Sequence, residues 1–199
     1  MPKLGILGGT FDPVHTGHVT VATQCRDRLG LDEVLLVPSF LPPHRQAPAA
    51  AAADRLAMTL LATADVAGLG VDDLEVRRGG VSYAVETVRE LRHRDPGGDV
   101  VLLLGEDAAL EFGSWHAPEE IGRLARVAVF NRGAGEKPRL DTLAQAGLPA
   151  DSIVVEVDSP PVSATEVRRR LATGDDLEGM LPSSVLDYIR ERGLYGISR

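Results

Sequence analysis

The chain has 199 residues, of which 44% are apolar, a formal net charge of −8 and a single cysteine. An apolar fraction of this size is ordinary for a globular domain and argues against disorder. The acidic balance argues against a nucleic-acid binder, which needs a basic face. Cys25 alone cannot form a disulfide framework or a cysteine metal site, and no apolar run approaches the ~20 residues of a membrane span. We therefore expect a soluble, cytoplasmic protein without a signal peptide, a membrane partner or a nucleic-acid partner.

Apolar runs alternate with helical patterns along the chain. The runs at 34–37 and 100–104 are continuous, which is typical of strands covered on both faces of a parallel sheet. This alternation predicts an α/β fold with a doubly wound, mainly parallel, Rossmann-like sheet. We expect one domain over 1–199, with a small helical C-terminal piece at about 160–199. Strands are predicted at 4–7, 33–38, 70–76, 100–104, 127–130 and 153–157, and helices at 17–29, 54–65, 84–94, 118–124, 140–146, 164–172 and 184–192.

The stretch from Gly8 to His18 carries the strongest functional pattern. Its glycines connect an apolar run to a helical pattern, so they lie between a strand and a helix N-terminus. Glycine lets the backbone approach a ligand, and a helix N-terminus offers unpaired N–H groups and a positive dipole end. His15 and His18 lie where the helix begins and can donate hydrogen bonds to phosphate oxygens. The pattern predicts a phosphate-binding corner, and a structural glycine turn with surface histidines is the plainer alternative.

A second corner is predicted at 163–170. Ser163 is the expected N-cap of a helix, with Glu166 as its capping-box partner. Three arginines, at 168–170, follow in the first turns of that helix. A hydroxyl, free N–H groups and a guanidinium at one helix N-terminus suit a triphosphate. The alternative is a capped helix with a solvated basic face.

Three further residues are candidates with open alternatives. Asp107 follows a predicted buried strand, where a carboxylate can accept from ribose hydroxyls or complement a helix dipole. Trp115 could stack on a flat heterocycle or belong to the core, which the residues slightly favour. The ring of Tyr83 could pack within the protein or stack on a ligand, and the sequence favours neither role. The Pro-rich segment 39–53 is long enough to be a binding loop.

The first corner resembles the signature of the nucleotidyltransferase superfamily, G-x-F-D-P-x-H-x-G-H, which is followed much later by a Ser/Thr-rich helix start with arginine. Within that superfamily the chain is similar to the bacterial nicotinate-nucleotide adenylyltransferases. The resemblance implies that the 5′-phosphate of nicotinate mononucleotide attacks the α-phosphate of ATP, giving deamido-NAD and pyrophosphate in NAD biosynthesis. It rests on residues 8–18, 42–44, 55–58, 82–83, 105–107, 115–116 and 162–168.

The resemblance also implies site residues. His15, His18 and Arg168 would be catalytic, with His18 stabilising the transition state. Asp107 would hold the adenosine ribose, and Trp115 would stack on the nicotinate ring. The residues implied for ATP are Gly8, Gly9, Thr10, Phe11, His15, His18, Gly105, Asp107, Ser163, Thr165 and Arg168, and those for nicotinate mononucleotide are His44, Arg45, Tyr83, Ala84 and Trp115.

Three positions depart from the family pattern. Arg45 stands where lysine is usual, Ala84 where threonine is frequent, and Ala164 where serine is frequent. These changes bear on substrate preference more than on the reaction. The implied cofactor is Mg²⁺ held mainly by the ATP phosphates, with no protein metal ligands. The sequence leaves open whether the chain acts alone or as a homo-oligomer.

Two other functions remain as alternatives to adenylyl transfer onto nicotinate mononucleotide. Phosphopantetheine adenylyltransferases share the first motif, but they are shorter and usually have threonine where His15 stands. A nucleotide-binding regulatory module without turnover is the second alternative. The pair His15 and His18 argues against such a module, since binding alone does not need both histidines.

Overall fold

The computed structural model describes residues 2–43, 47–131 and 146–197, and in these ranges six parallel strands form one sheet in the order β3-β2-β1-β4-β5-β6. The strands are β1 Lys3–Gly9, β2 Glu33–Pro38, β3 Leu69–Val71, β4 Asp99–Gly105, β5 Arg126–Phe130 and β6 Ile153–Val155. The helices are α1 Thr16–Leu29, α2 Ala52–Thr63, α3 Leu74–Arg78, α4 Ala84–Arg94, α5 Glu106–Leu110, α6 Pro118–Leu124, α7 Ala164–Thr173 and α8 Ser183–Arg192, with 3₁₀ turns at Phe112–Ser114 and Leu194–Gly196. The predicted doubly wound, parallel α/β fold is confirmed.

Residues of the central strands point alternately into two hydrophobic clusters, one on each face of the sheet. Leu103 of β4 belongs to the first cluster, together with Val21 of α1 and Met58 of α2. Its neighbour Leu102 belongs to the second cluster, together with Val88 of α4. Successive side chains of a strand point to opposite faces, so a strand covered on both faces needs apolar residues at every position. This is why the run at 100–104 is continuously apolar.

The predicted strand at 70–76 is half wrong, because β3 ends at Val71 and residues 74–78 form α3. The Asp72 carboxylate accepts a hydrogen bond from Leu74 N–H at 2.9 Å, which turns the chain out of the sheet. Asp73 then pairs with Arg77 one helical turn later, at 2.8 Å. Aspartate is unfavourable in strands, and two in succession outweigh the apolar residues that follow. Of the helix predicted at 140–146, residues 140–145 lie outside the described residues and Ala146 lies in a turn.

The C-terminal helices pack onto the first cluster. Val167 of α7 and Ile189 of α8 are fully buried there, and the 3₁₀ turn at 194–196 adds Leu194 and Tyr195. The start of α1 is tied to this region as well, because Thr16 N–H donates to the Met180 carbonyl at 3.0 Å. The predicted C-terminal piece thus lies against the start of α1, whereas the single domain over 1–199 stays a prediction. In the described part of the chain, no helix is both long and apolar enough to cross a membrane.

A crevice opens where β1 and β4 separate. β1 stays paired with β2 up to Gly9 and Pro38, but its ladder with β4 ends at Ile6 and Leu102. The strand order also reverses here, since β2 and β3 extend the sheet on one side and β4 to β6 on the other. Ligands of doubly wound sheets bind outside the carboxyl ends of the strands at such a reversal. The fold therefore places the glycine-rich end of β1 at the expected binding crevice.

Candidate active site

His15 and His18 form a stacked pair at the start of α1. His15 is the N-cap residue with extended backbone, and His18 lies in the first turn. Their rings are 3.6 Å apart between centroids and inclined by 24°. His18 Nδ1 accepts a hydrogen bond from His15 N–H at 3.2 Å, which directs the proton of a neutral His18 ring to Nε2. This tautomer can donate to a phosphate oxygen beside the helix N-terminus.

Two glycines of this corner lie in close contact with neighbouring side chains. A Cβ atom at Gly17 would lie 3.1 Å from His15 Nδ1, and one at Gly9 would lie 2.7 Å from the Phe11 ring. At Gly8, by contrast, no described atom outside Gly8 and its two chain neighbours lies within 4 Å of that position, so the space beside its backbone is open. Phe11 is buried at a positive φ of 49°, and its ring meets the His18 ring edge-on at 5.0 Å. Phe11 thus serves as a packing support for His18.

The structure brings the two predicted corners together. Ser163 is the N-cap of α7, and its hydroxyl accepts from Glu166 N–H at 3.2 Å, as predicted. Arg168 reaches from α7 to the first corner, where its Nη1 donates to the Asp12 carbonyl at 2.6 Å. Its Nη2 lies 3.4 Å from the hydroxyl of Thr165. Ser163 and Thr165 are exposed, and the contact of Arg168 with Asp12 joins the start of α7 to the loop that precedes the histidine pair.

The other half of the predicted capping box is wrong, because the Glu166 carboxylate binds two arginines instead of the Ser163 N–H. Arg169 and Arg170 donate to Glu166 at 2.8 and 2.7 Å. These hydrogen bonds lower the pKa of Glu166 to about 2. Two charged donors three and four residues along a helix outcompete a neutral backbone N–H. Arg169 and Arg170 are thereby engaged in ion pairs on α7, whereas Arg168 reaches the corner.

Asp12 is a site residue that the sequence analysis missed. Its side chain is only about 6% exposed. Its carboxylate accepts from Ala49 N–H at 2.7 Å, from Ala50 N–H at 3.0 Å and from the Tyr195 hydroxyl at 2.8 Å. Arg168 Nη1 lies 3.9 Å from the same carboxylate. Asp12 therefore connects the β1–α1 loop to the 39–53 loop, to the C-terminal turn and to α7.

Arg55 is a second missed residue and lies beneath the first corner. Its side chain is 1% exposed, and its guanidinium donates to the carbonyls of Thr10 at 2.6 Å, Phe40 at 2.9 Å and Ala50 at 3.2 Å. Burial lowers the pKa of Arg55, and the negative charge of Asp12 opposes that shift. One signal was present in the sequence: Arg55 precedes the buried Met58 and Ala62 of α2 by three and seven residues, which places it on the buried face.

Aromatic side chains define a second end of the site, beyond β4. Tyr83 is the N-cap residue of α4, immediately before Ala84, and its ring lies 4.6 Å from the His116 ring. Trp115 is half-buried at the edge of the second cluster, 5.6 Å from the Phe112 ring. Trp115 is thus neither fully in the core nor fully exposed. His116 is exposed and was not predicted as a site residue, and its ring contact with Tyr83 adds it to this group.

The Tyr83 segment is held by a small buried network. The Ser82 hydroxyl accepts from Phe40 N–H at 2.9 Å, and Ser82 N–H donates to the Leu41 carbonyl at 2.9 Å. Glu75 of α3 is buried and accepts a hydrogen bond from the Thr87 hydroxyl of α4. Burial raises the pKa of the Glu75 carboxyl, and its hydrogen bonds oppose the shift. The loop after β2 and the start of α4 are therefore fixed to each other.

The remaining predicted residues are placed as follows. Gly105 ends β4 and is the N-cap residue of α5, and Asp107 lies exposed in the first turn of that helix, at the β4 side of the crevice. His44 and Arg45 lie outside the described residues. In the ranges 2–43, 47–131 and 146–197, no group of three or more His, Cys, Asp or Glu side chains could hold a metal ion. The hydroxyls, histidines and arginine of the corners are donors that suit anionic oxygens.

Comparison with known proteins places the chain in a family. A family model described as cytidylyltransferase-like matches residues 6–170. A protein of Aeromonas hydrophila named "Probable nicotinate-nucleotide adenylyltransferase" is 41% identical, over 98% of this chain and 97% of its own length. The chain belongs to the nicotinate-nucleotide adenylyltransferase family. A member from Bordetella avium with the same name is also 41% identical, over 98% of both chains.

Solved structures support the fold. The nicotinic acid mononucleotide adenylyltransferase of Plasmodium falciparum, complexed with NaAD, superposes with a TM-score of 0.81 over 100% of this chain and 99% of its own. The identity to that adenylyltransferase is 17%, so this likeness concerns the fold alone. The same enzyme complexed with APC gives a TM-score of 0.80 at 16% identity. The family resemblance inferred from the motifs is thus confirmed by relatives that span nearly the whole chain.

Proposed function

We propose that this chain transfers the AMP moiety of ATP to nicotinate mononucleotide, a step of NAD biosynthesis that yields deamido-NAD and pyrophosphate. The observation that carries the proposal is the meeting of two helix N-termini at one crevice. The stacked His15–His18 pair begins α1, and Ser163 begins α7, whose Arg168 touches the first corner. This arrangement occurs in a chain whose relatives bear the name of that activity.

The two corners would divide the triphosphate between them. The backbone of Gly8, the Thr10 region and the histidine pair would contact the phosphates next to the reacting centre, where the N-terminus of α1 favours negative charge. Ser163, Thr165 and Arg168 would bind the β- and γ-phosphates with two hydroxyls and a cation. This division aligns the α-phosphate with the carboxyl end of β1.

The reaction needs positioning and charge stabilisation rather than an enzyme nucleophile. A 5′-phosphate oxygen of nicotinate mononucleotide forms a bond to the α-phosphorus of ATP. The bond from that phosphorus to the bridging oxygen breaks, and pyrophosphate leaves with the electron pair. The nucleophile is already an anion, so no general base is required. His18 Nε2–H would donate to the α-phosphate as negative charge accumulates there, and Arg168 would stabilise the leaving pyrophosphate.

The aromatic end would receive the acceptor. Trp115 would stack on the nicotinate ring, and Tyr83 would shape the same pocket from the start of α4. Ala84 offers a backbone N–H there without a side-chain contact. Asp107 would accept from ribose hydroxyls of the adenosine at the β4 side of the crevice. His44 and Arg45 keep their predicted role at the acceptor, from the 39–53 loop.

Mg²⁺ would enter as part of the MgATP substrate. It prefers oxygen ligands, keeps several waters and commonly binds through substrate phosphates. The corner side chains are hydrogen-bond donors, and the buried Asp12 carboxylate is occupied by Ala49, Ala50 and Tyr195. These groups fit the phosphates, which in turn carry the cation.

Label transfer tests the proposal directly. ATP labelled with ³²P at the α-phosphate is incubated with the enzyme, Mg²⁺ and nicotinate mononucleotide, and products are separated by chromatography. We expect the label to move into a dinucleotide that yields AMP and nicotinate mononucleotide on cleavage by a phosphodiesterase. Label that remains in ATP, or appears only in AMP, would contradict the proposal.

A further inference from the structure

The C-terminal turn reaches the phosphate-binding corner through one hydrogen bond. The Tyr195 hydroxyl donates to Asp12 Oδ1 at 2.8 Å, and the two residues are 183 positions apart in the chain. The same Oδ1 accepts from Ala50 N–H, and Oδ2 accepts from Ala49 N–H. Asp12 lies inside the β1–α1 loop, three residues before His15. A residue near the chain end thus contacts the segment that would bind ATP.

Asp12 also contacts Arg168, the cation of the second corner. Its main-chain carbonyl accepts from Arg168 Nη1 at 2.6 Å, and its carboxylate lies 3.9 Å from the same nitrogen. A guanidinium is a planar fork, so an anchored Nη1 sets the direction of its remaining donors. Rotation of the Asp12 side chain would therefore change its charge contact with Arg168, and displacement of the Asp12 backbone would move the anchored Nη1 as well as the loop.

The backbone conformation and packing of the C-terminal turn determine the position of Tyr195. It lies in the 3₁₀ turn at 194–196 with φ 58° and ψ 28°, a left-handed backbone conformation that non-glycine residues adopt infrequently. Its neighbours Leu194 and Ile197 pack against the first cluster. Burial and the neighbouring Asp12 charge raise the pKa of the Tyr195 hydroxyl, so it remains a donor at neutral pH. The packing of the C-terminal turn therefore places the hydroxyl beside Asp12, where it donates.

We propose that Tyr195 is a positioning residue for adenylyl transfer: its hydroxyl holds the Asp12 carboxylate, and through Asp12 it sets the orientation of Arg168 and of the loop that carries the histidine pair. This inference rests on the proposed function. The C-terminal turn is then a part of the phosphate-binding corner, although it would touch neither substrate.

The chain contains a matched control for this hydrogen bond. Tyr188 of α8 donates to Asp54 Oδ1, also at 2.8 Å, and Asp54 is a buried carboxylate at the start of α2. Both bonds join a C-terminal tyrosine to a buried aspartate. The Asp54 carboxylate, however, is paired with Tyr188 and Arg192 of α8 rather than with a residue of the corner. Loss of the Tyr188 bond should therefore affect stability alone.

The test compares the variants Tyr195→Phe and Tyr188→Phe. Each removes one hydroxyl, and pyrophosphate release is measured with ATP, Mg²⁺ and nicotinate mononucleotide well below both melting temperatures. We expect Y195F to lower kcat about tenfold, because small misplacements of reacting groups reduce rates strongly. The KM for nicotinate mononucleotide should stay within about twofold, because Tyr83 and Trp115 lie away from Asp12. Y188F should keep kcat within about twofold of the unaltered chain.

A double-variant cycle separates positioning from general destabilisation. If Tyr195 acts through Asp12, the variant combining Asp12→Asn with Tyr195→Phe should lose little more kcat than Asp12→Asn alone. Equal kcat values for folded Y195F, Y188F and the unaltered chain would overturn the inference. Additive losses in the cycle would also overturn it. If Y195F fails to fold, D12N alone decides, and an unchanged kcat in D12N would refute the positioning role.

Measurements on the unaltered chain distinguish a failure of this inference from a failure of the proposed function. Absence of pyrophosphate release by the unaltered chain with nicotinate mononucleotide would contradict the proposed function. ATP affinity, measured by calorimetry, then still tests the positioning role, because a displaced Arg168 should weaken ATP binding in Y195F and not in Y188F. Equal ATP affinities of the two variants in that case would overturn the inference.

Discussion

The phosphate-binding corner and the aromatic end of the site are held in place by different forces. At the corner, two buried charged residues, Asp12 and Arg55, connect four chain segments with hydrogen bonds between 2.6 and 3.2 Å. At the aromatic end, Tyr83 and Trp115 are half-buried, His116 is exposed, and ring contacts of 4.6 to 5.6 Å dominate. Transition-state donors must be fixed in advance, whereas a stacking surface tolerates small shifts. We therefore expect damage at the corner to reduce stability and turnover, and damage at the aromatic end to reduce acceptor affinity.

The largest expected effect is on stability, from Arg55→Met. The substitution leaves three carbonyls without their donor and removes a positive charge that interacts with the buried Asp12. We expect the free energy of unfolding to fall by about 3–5 kcal/mol, because each carbonyl that loses its donor in a buried region costs about 1–3 kcal/mol. Urea unfolding followed by circular dichroism measures it.

The matched control for Arg55 is Arg77→Met. Arg77 forms exposed ion pairs with Asp73 and Glu90. Exposed pairs contribute at most about 1 kcal/mol, so this variant should unfold almost as the unaltered chain does. Equal urea midpoints for R55M and R77M would contradict the claim that the corner depends on buried charged residues more than the exposed surface does.

The next effect is on turnover, from His18→Ala. Loss of one transition-state donor should lower kcat by about a hundredfold or more, which corresponds to about 2.7 kcal/mol. Steady-state pyrophosphate release measures it, with circular dichroism to check the fold. His93→Ala, at an exposed position of α4, should leave kcat unchanged. A folded H18A variant with near-normal kcat would contradict the role of the corner.

A smaller effect is expected at the aromatic end, from Trp115→Ala. Loss of a stacking ring should raise the KM for nicotinate mononucleotide about tenfold, the equivalent of about 1.4 kcal/mol. The KM for ATP should change much less, since the ATP phosphates would bind at the corner. Initial rates at varied concentrations of each substrate give both constants. An unchanged acceptor KM would assign Trp115 to the core alone.

The smallest expected effect is on the melting temperature, from Glu75→Gln. This substitution changes the buried network that holds the Tyr83 segment. The pKa of buried Glu75 is raised above its ordinary value of 4.5, so the folded state binds this proton more tightly than the unfolded state. Folding stability is therefore lost as the pH rises from 4.5 through the folded-state pKa. A glutamine side chain would keep an acceptor for Thr87 without the charge, so the variant should melt about 2–4 °C higher than the unaltered chain near pH 8.

This melting-temperature difference should vanish at pH 4.5 and below, where Glu75 is protonated in the folded state and increasingly so in the unfolded state. Glu86→Gln is the control, since Glu86 is a partly exposed partner of Arg78. A melting difference for E75Q that is independent of pH would argue against a buried ionised carboxylate at this position.

The sequence allowed the fold and the local start of each corner to be predicted, because both depend on short-range patterns. Continuous apolar runs identify parallel strands, and Ser163 at a helix start identifies an N-cap. The joining of the corners could not be predicted, since it depends on the contact between Arg168 and Asp12, 156 residues apart. Likewise, nothing local to Tyr195 indicates that its hydroxyl reaches Asp12. The strand predicted over 70–76 is wrong beyond Val71, because Asp72 and Asp73 outweigh the apolar residues that follow them.

The choice of acceptor is the most direct test of the central claim. That claim is that AMP passes from ATP at the phosphate-binding corner to nicotinate mononucleotide at the aromatic end. Pyrophosphate release is measured with ATP and Mg²⁺ and with nicotinate mononucleotide, nicotinamide mononucleotide or 4′-phosphopantetheine offered in parallel. The account predicts strong release with nicotinate mononucleotide and none with 4′-phosphopantetheine. Release with 4′-phosphopantetheine alone, or ATP binding without release from any acceptor, would contradict it.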